Sequence, residues 1–87
     1  METVALKPAR ITEAMRARKM TPEDLAYEIR RLSNGRVRAT ATQVLRWARG
    51  QHEPRASVIG LIAAATAKPL DFFYGSDGEE EEGDDPG

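Results

Sequence analysis

"TATQVLRWARGQHEP", residues 40–54, packs one tryptophan, two arginines, a glycine and a proline into one short run. At about 100° per residue, Ala41, Val44, Trp47 and Ala48 fall on one side of a helix. Thr42, Gln43, Arg46 and Arg49 fall on the other, with Leu45 on the border. The spacing predicts a helix over about 41–49, with Val44 and Trp47 turned into a core. Thr40 or Thr42 is placed to cap its start, and Gly50 to stop it. "QHEP" is then a loop closed by Pro54. The polar side holds no acid, and its first residues are small or neutral, so a bulky anion could approach closely.

The flanking sequence reads as more helices. Upstream, "TPEDLAYEIRRLSNG" starts with Thr21 as N-cap candidate, Pro22 at the first helical position, and Glu23 and Asp24 at the positive end of the dipole. Leu25, Ile29 and Leu32 recur at helical spacing, and Asn34-Gly35 supplies a stop, which predicts a helix over about 22–33. "ARITEAMRARKM" predicts a first helix over about 9–19, with Ile11, Ala14 and Met15 on one side. Downstream, Ser57 is a cap candidate for "VIGLIAAATA", whose Val58, Leu61, Ile62 and Ala65 form a wide apolar face. Pro69 breaks the chain, and "LDFFYG" reads as a short last helix or turn. No repeat and no confident strand is visible. The expected class is all-α: four to five short helices around one core.

A chain of 87 residues suits one small domain. Without cysteine it has no disulfide, thiolate zinc site or cysteine nucleophile, which fits a reducing compartment. "METVALKPAR" lacks the apolar run of a signal peptide, and no stretch approaches the roughly 18–20 apolar residues of a membrane span. A soluble, cytoplasmic protein is expected. The net charge of -1 conceals a division. Residues 1–75 hold all 13 Lys and Arg against seven acids, a net +6, while "SDGEEEEGDDPG", residues 76–87, holds seven acids and no base, a net −7. That tail has no hydrophobic residue and is expected to be disordered. Its role is open between a solubility tail, a segment that folds back on the cationic domain, and a protein-binding segment. Residues 1–8 read as a flexible N-terminal arm and 9–75 as the folded domain.

The polar side of residues 40–49 is the inventory that a major-groove edge requires. Gln43 can pair with adenine, Arg46 can fork onto guanine, and Thr42 can bond a base edge or touch a thymine methyl. Thr40 and Arg49 flank them. Arg30, Arg31, Arg36 and Arg38, just upstream, are candidates for phosphate contact. Other chemistry is thin. His52 is the single histidine and has only Glu53 beside it, too few ligands for a metal. Ser33, Ser57 and Ser76 have no evident His–carboxylate partners. No catalytic residue, cofactor, metal or small-molecule ligand is expected.

The order of parts resembles the phage-repressor or Cro-type helix-turn-helix family, also called lambda-repressor-like or xenobiotic-response-element proteins, over about residues 10–75. "RITEAMRARKMT", Leu25-Ala26, "TATQVLRWARGQHEP" with its Val44, Trp47, Gly50 and Pro54, and "SVIGLIAAATAKPLDFFYG" carry the resemblance. It implies that the helix at 41–49 is a recognition helix in the major groove of double-stranded DNA. Two departures stand out. Pro22 replaces the polar residue that often opens the family's second helix. The tight turn before the recognition helix is replaced by "IRRLSNGRVRA", about eight residues longer, giving an extended loop over 33–39. The resemblance implies a small sequence-specific transcriptional regulator, of repressor type, at the nucleoid of a bacterial or phage-infected cell. The competing expectation is a protein-interaction module, antitoxin-like or adaptor, docking through Phe72, Phe73 and Tyr74 and the acidic tail. Monomer and homodimer are both open; residues 70–74 are the candidate dimer contact.

Overall fold

A computed structural model describes residues 4–76. The chain runs β1 (Val4–Leu6), α1 (Pro8–Ala17), α2 (Pro22–Leu32), α3 (Ala41–Ala48), α4 (Ala56–Thr66), a 3₁₀ turn (Leu70–Phe73) and β2 (Tyr74–Ser76). Four helices and one helical turn make a small all-α fold, as the periodicity requires. Among the described residues no helix is long and apolar enough to cross a membrane.

Helix starts follow local chemistry where that chemistry is present. Thr21 Oγ1 accepts the Asp24 N–H and Asp24 accepts the Thr21 N–H, a reciprocal capping box ahead of Pro22. Thr40 and Gln43 repeat the device at α3, so Thr40 is the cap and Thr42 lies inside the helix. Ser57 does not cap α4. Arg55 holds the N-cap position, no side chain closes it, and Ser57 falls in the first turn.

All four helices end by one hydrogen-bond pattern. A residue with positive φ turns the chain, and the next N–H reaches back to the carbonyl five residues earlier. Met20 N–H reaches Met15 O, Gly35 reaches Arg30, Gln51 reaches Arg46, and Lys68 reaches Ala63. The turning residues are Lys19, Asn34, Gly50 and Ala67, and only one of them is glycine. The left-handed conformation at Lys19 ends α1 at Ala17, two residues before the expected end, because lysine gives no local sign of it.

The core gathers Ile11, Ala14, Leu25, Ala26, Ile29, Val44, Ile62 and Phe73, all fully buried, with Trp47 8% exposed. Helix α2 lies between α3 and α4, and α1 packs on α3. In α4, Ile59 is buried and Leu61 only half-buried, the reverse of the expected face. Thr66 is buried at its end, its hydroxyl satisfied by donating to Ile62 O at 2.7 Å.

The two strands are a departure from the expected strand-free chain. Val4, Ala5 and Leu6 pair antiparallel with Ser76, Gly75 and Tyr74, and Lys7 N–H continues the ladder to Phe73 O at 2.8 Å. Residues 4–7 are therefore tied down rather than a loose arm. The physical reason is long-range: segments about 70 positions apart satisfy each other's backbone groups. Pro8, expected in the arm, opens α1, and Ser76, expected to begin the disordered tail, belongs to β2; residues 1–3 and 77–87 lie outside the described residues.

Candidate functional site

The exposed side of α3 carries Thr42, Gln43, Arg46 and, at its C-cap, Arg49. Val44 and Trp47 anchor the opposite side in the core. The helix is thus held by its apolar stripe while its polar edge faces outward.

The Gly50 turn decides what stands beside that edge. Gly50 has φ +76°, and Arg46 O accepts the N–H groups of Gln51 at 2.8 Å and His52 at 3.4 Å. The chain therefore folds back along α3 instead of leaving it. His52 joins Gln43, Arg46 and Trp47 around a small recess. A wider cleft of about 540 Å³ continues from it. The cleft takes Arg36 and Arg38 from the α2–α3 loop, Gln43 and Trp47 from α3, and His52, Glu53, Arg55 and Ser57 from the segment that enters α4. Three arginines thus meet one acid. Among the described residues, arginine ion pairs form at Arg10 and Arg31 but at none of the cleft's arginines. The cleft is a concave patch of unneutralised positive charge, suited to a polyanion.

The long loop that feeds the cleft is pinned at three points. Ala39 is 1% exposed and Val37 half-buried. Ser33 Oγ accepts the Val37 N–H at 3.0 Å. Arg30 donates to Ala39 O at 2.7 Å, across the base of the loop and one residue before the α3 cap. Its guanidinium also lies 6.0 Å from the Tyr27 ring. Arg30 is therefore a fastener that sets how the loop enters α3. Arg30→Ala is expected to cost about 1 kcal/mol of stability, near the net value of one such hydrogen bond. Hydrogen exchange of the amides at 36–40 should speed up more than that of the α4 amides; equal change in both regions would argue against the fastening role.

The expected site residues thus divide. Gln43 joins Arg36 and Arg38 in the cleft and Arg46 in the recess, while Thr42 is exposed on α3 one turn from Arg46, outside both linings, and Arg49 holds the helix C-cap. Thr40 is spent largely on the cap. Gln43 also gives one lone pair of its carbonyl oxygen to Thr40 N–H at 3.2 Å, which fixes its side chain. Its amide N–H groups are left outward. Arg31 is not brought to this face. It holds Glu28 at 2.6 Å and lines a different recess with Arg18, Met20, Leu32 and Ala64, to which α3 contributes nothing. The hydrogen bond and charge of Glu28 hold the Arg31 guanidinium still more firmly protonated than usual. The reason is angular: Glu28 and Arg31 are one turn apart on a side of α2 that faces away from α3.

Two cleft residues escaped the sequence reading. Local sequence offers His52 only as a metal ligand with too few partners and gives Arg55 no role. The available signal was Gly50, because a glycine stop with a 6→1 bond reverses the chain and returns the next residues to the helix flank.

The aromatic cluster at the other end offers less surface than expected. Phe73 is fully buried, and Phe72 and Tyr74 are half-buried. The Phe72 ring lies between Arg10 and Lys68, at 4.9 and 5.0 Å, and meets Phe73 edge-on at 5.2 Å. Phe73 is thus a core residue and no part of a docking or dimer patch.

In comparisons with known proteins, no family model, curated protein or solved structure matches this chain.

Proposed function

We propose that this protein reads double-stranded DNA with α3 and acts as a small transcriptional regulator of repressor type. One observation carries the reading: an acid-free, solvent-facing helix edge stands beside a cleft of unpaired arginines. The two parts correspond to the two tasks of such a protein. Charge on the phosphates supplies affinity without sequence information, and side chains on base edges supply sequence information.

An eight-residue helix is about 12 Å long, comparable with the width of the major groove. Arg46 is placed to fork onto guanine, and Thr42 to meet a base edge or a thymine methyl. Gln43 enters pre-oriented by its cap bond, with its amide donors and one carbonyl lone pair available to a base. Arg36, Arg38 and Arg55 would hold the phosphates beside the groove, and Ser57, in the first turn of α4, lines the same cleft. His52, next to Gln43 and Arg46, is a further candidate contact. The setting proposed for this activity is the nucleoid of a bacterial or phage-infected cell.

Selection of binding sites from random duplex DNA tests the reading. An enriched motif is expected. Arg46→Ala should weaken binding to that motif by about 1–3 kcal/mol and relax preference at one base pair. Failure to enrich any motif, or an Arg46→Ala variant with unchanged affinity and preference, would sink it.

A further inference from the structure

We infer that the acidic segment 77–87 of this same chain is a second occupant of the arginine cleft, held there until a stronger polyanion displaces it. Charge complementarity is the first ground. Asp77, Glu79, Glu80, Glu81, Glu82, Asp84 and Asp85 place seven carboxylates in eleven residues without a single cation. The cleft opposes them with Arg36, Arg38 and Arg55 and only one acid, Glu53.

This patch gathers three arginines in one cleft, and three of the cations elsewhere are already engaged. Arg31 is committed to Glu28, and its recess includes that carboxylate. Arg10 donates to Phe72 O and lies near Glu13. Lys68, like Arg10, sits over the Phe72 ring. The cleft arginines have no such carboxylate partner.

The second ground is where the segment begins. Ser76 pairs with Val4, and four residues later Pro8 stands against the Gly50 turn, where an added Cβ would lie 3.4 Å from Pro8 Cγ. Four extended residues span about 13 Å and one strand spacing adds about 5 Å, so the segment starts within about 18 Å of the end of α3 that leads into the cleft. Eleven residues reach up to about 36–40 Å when fully extended, well beyond that gap. Charges farther apart than about 8 Å are screened at physiological salt, so the attraction requires actual seating in the cleft.

A tethered polyanion competes with every phosphate backbone alike, whereas base contacts favour one sequence. Seating therefore suppresses non-specific binding and leaves the contrast between cognate and random DNA intact. This consequence rests on the DNA-binding reading; the seating itself does not.

The test uses the whole chain and a variant with Glu79, Glu80, Glu81 and Glu82 each changed to Gln. Without DNA, the two amide NMR spectra should differ at Arg36, Arg38, His52 and Arg55, and the difference should vanish at about 0.5 M salt, where the Debye length is only a few ångströms. With a random duplex at about 50 mM salt, the variant should bind about tenfold tighter, as for a cleft free in one molecule in ten. Spectra that differ only within 77–87, or around Arg18 and Arg31, or around Arg10 and Lys68, overturn the seating. Tighter DNA binding without cleft shifts overturns it too, since bulk charge would then be the cause. Cleft shifts with no DNA binding by either chain would uphold the seating and refute the DNA-binding reading instead.

Discussion

Phe73→Ala is expected to remove about 3–5 kcal/mol of folding stability, the usual loss when a buried phenylalanine is truncated. A folded unit of this size has roughly 4–11 kcal/mol in total, so the change consumes a large share of it. Phe73 is fully exposed to neighbours and not at all to water. It meets Phe72 edge-on, and its carbonyl accepts the Lys7 N–H that joins the two ends of the fold. The 3₁₀ turn that carries it packs on both α1 and α4. Truncation therefore leaves a cavity where three segments meet, and it loosens the seat of α1 against α3. Urea unfolding followed by circular dichroism measures the effect. Leu70→Ala, in the same turn but at a side chain 49% exposed, serves as the control and should cost under about 1 kcal/mol. Comparable losses in the two variants would mean that Phe73 does not close the core.

The largest expected effect on binding comes from the cleft. Changing Arg36, Arg38 and Arg55 together to Gln should flatten the dependence of log K on log salt by about 2.7, at roughly 0.9 per phosphate contact. At about 0.15 M salt the same three contacts correspond to a loss on the order of a hundredfold in affinity for any duplex. Preference among sequences should change little, because phosphates carry no sequence information directly. Arg18 and Arg31, both changed to Gln, provide the comparison from the other recess, with two charges removed against three. That pair should leave the salt slope nearly unaltered. If it flattens the slope as much per charge removed as the cleft variant does, binding follows net charge rather than a face, and the cleft loses its assigned role.

The two predictions draw on different depths of the sequence. The core stripe of α3 was legible from Val44 and Trp47, because one helix imposes its own period on its own side chains. The capping box at Thr21 and Asp24 was legible for the same reason: its partners are three residues apart. The helix ends at Lys19 and Ala67 were not. Neither residue announces a left-handed conformation, and packing imposes it. The fastening role of Arg30 was also hidden, since its partner Ala39 belongs to a loop whose path no periodicity describes. Arg31, its immediate neighbour, looked equivalent in sequence and lies on another face.

What the sequence determined by itself is whatever depends on neighbours within a turn or two: the all-α class, the four helices, the acid-free edge of Thr42, Gln43 and Arg46, and the separation of a cationic domain from an acidic segment. The tertiary structure alone decided which arginines share a surface. Arg36, Arg38 and Arg55 meet across some twenty residues because the Gly50 turn and the pinned 33–40 loop bring two segments to one flank of α3. Arg31 is excluded from them by the angle at which α2 is buried. Such a grouping requires long-range packing, in which chain segments far apart in order satisfy each other's apolar surface and hydrogen bonds, and no local pattern encodes it.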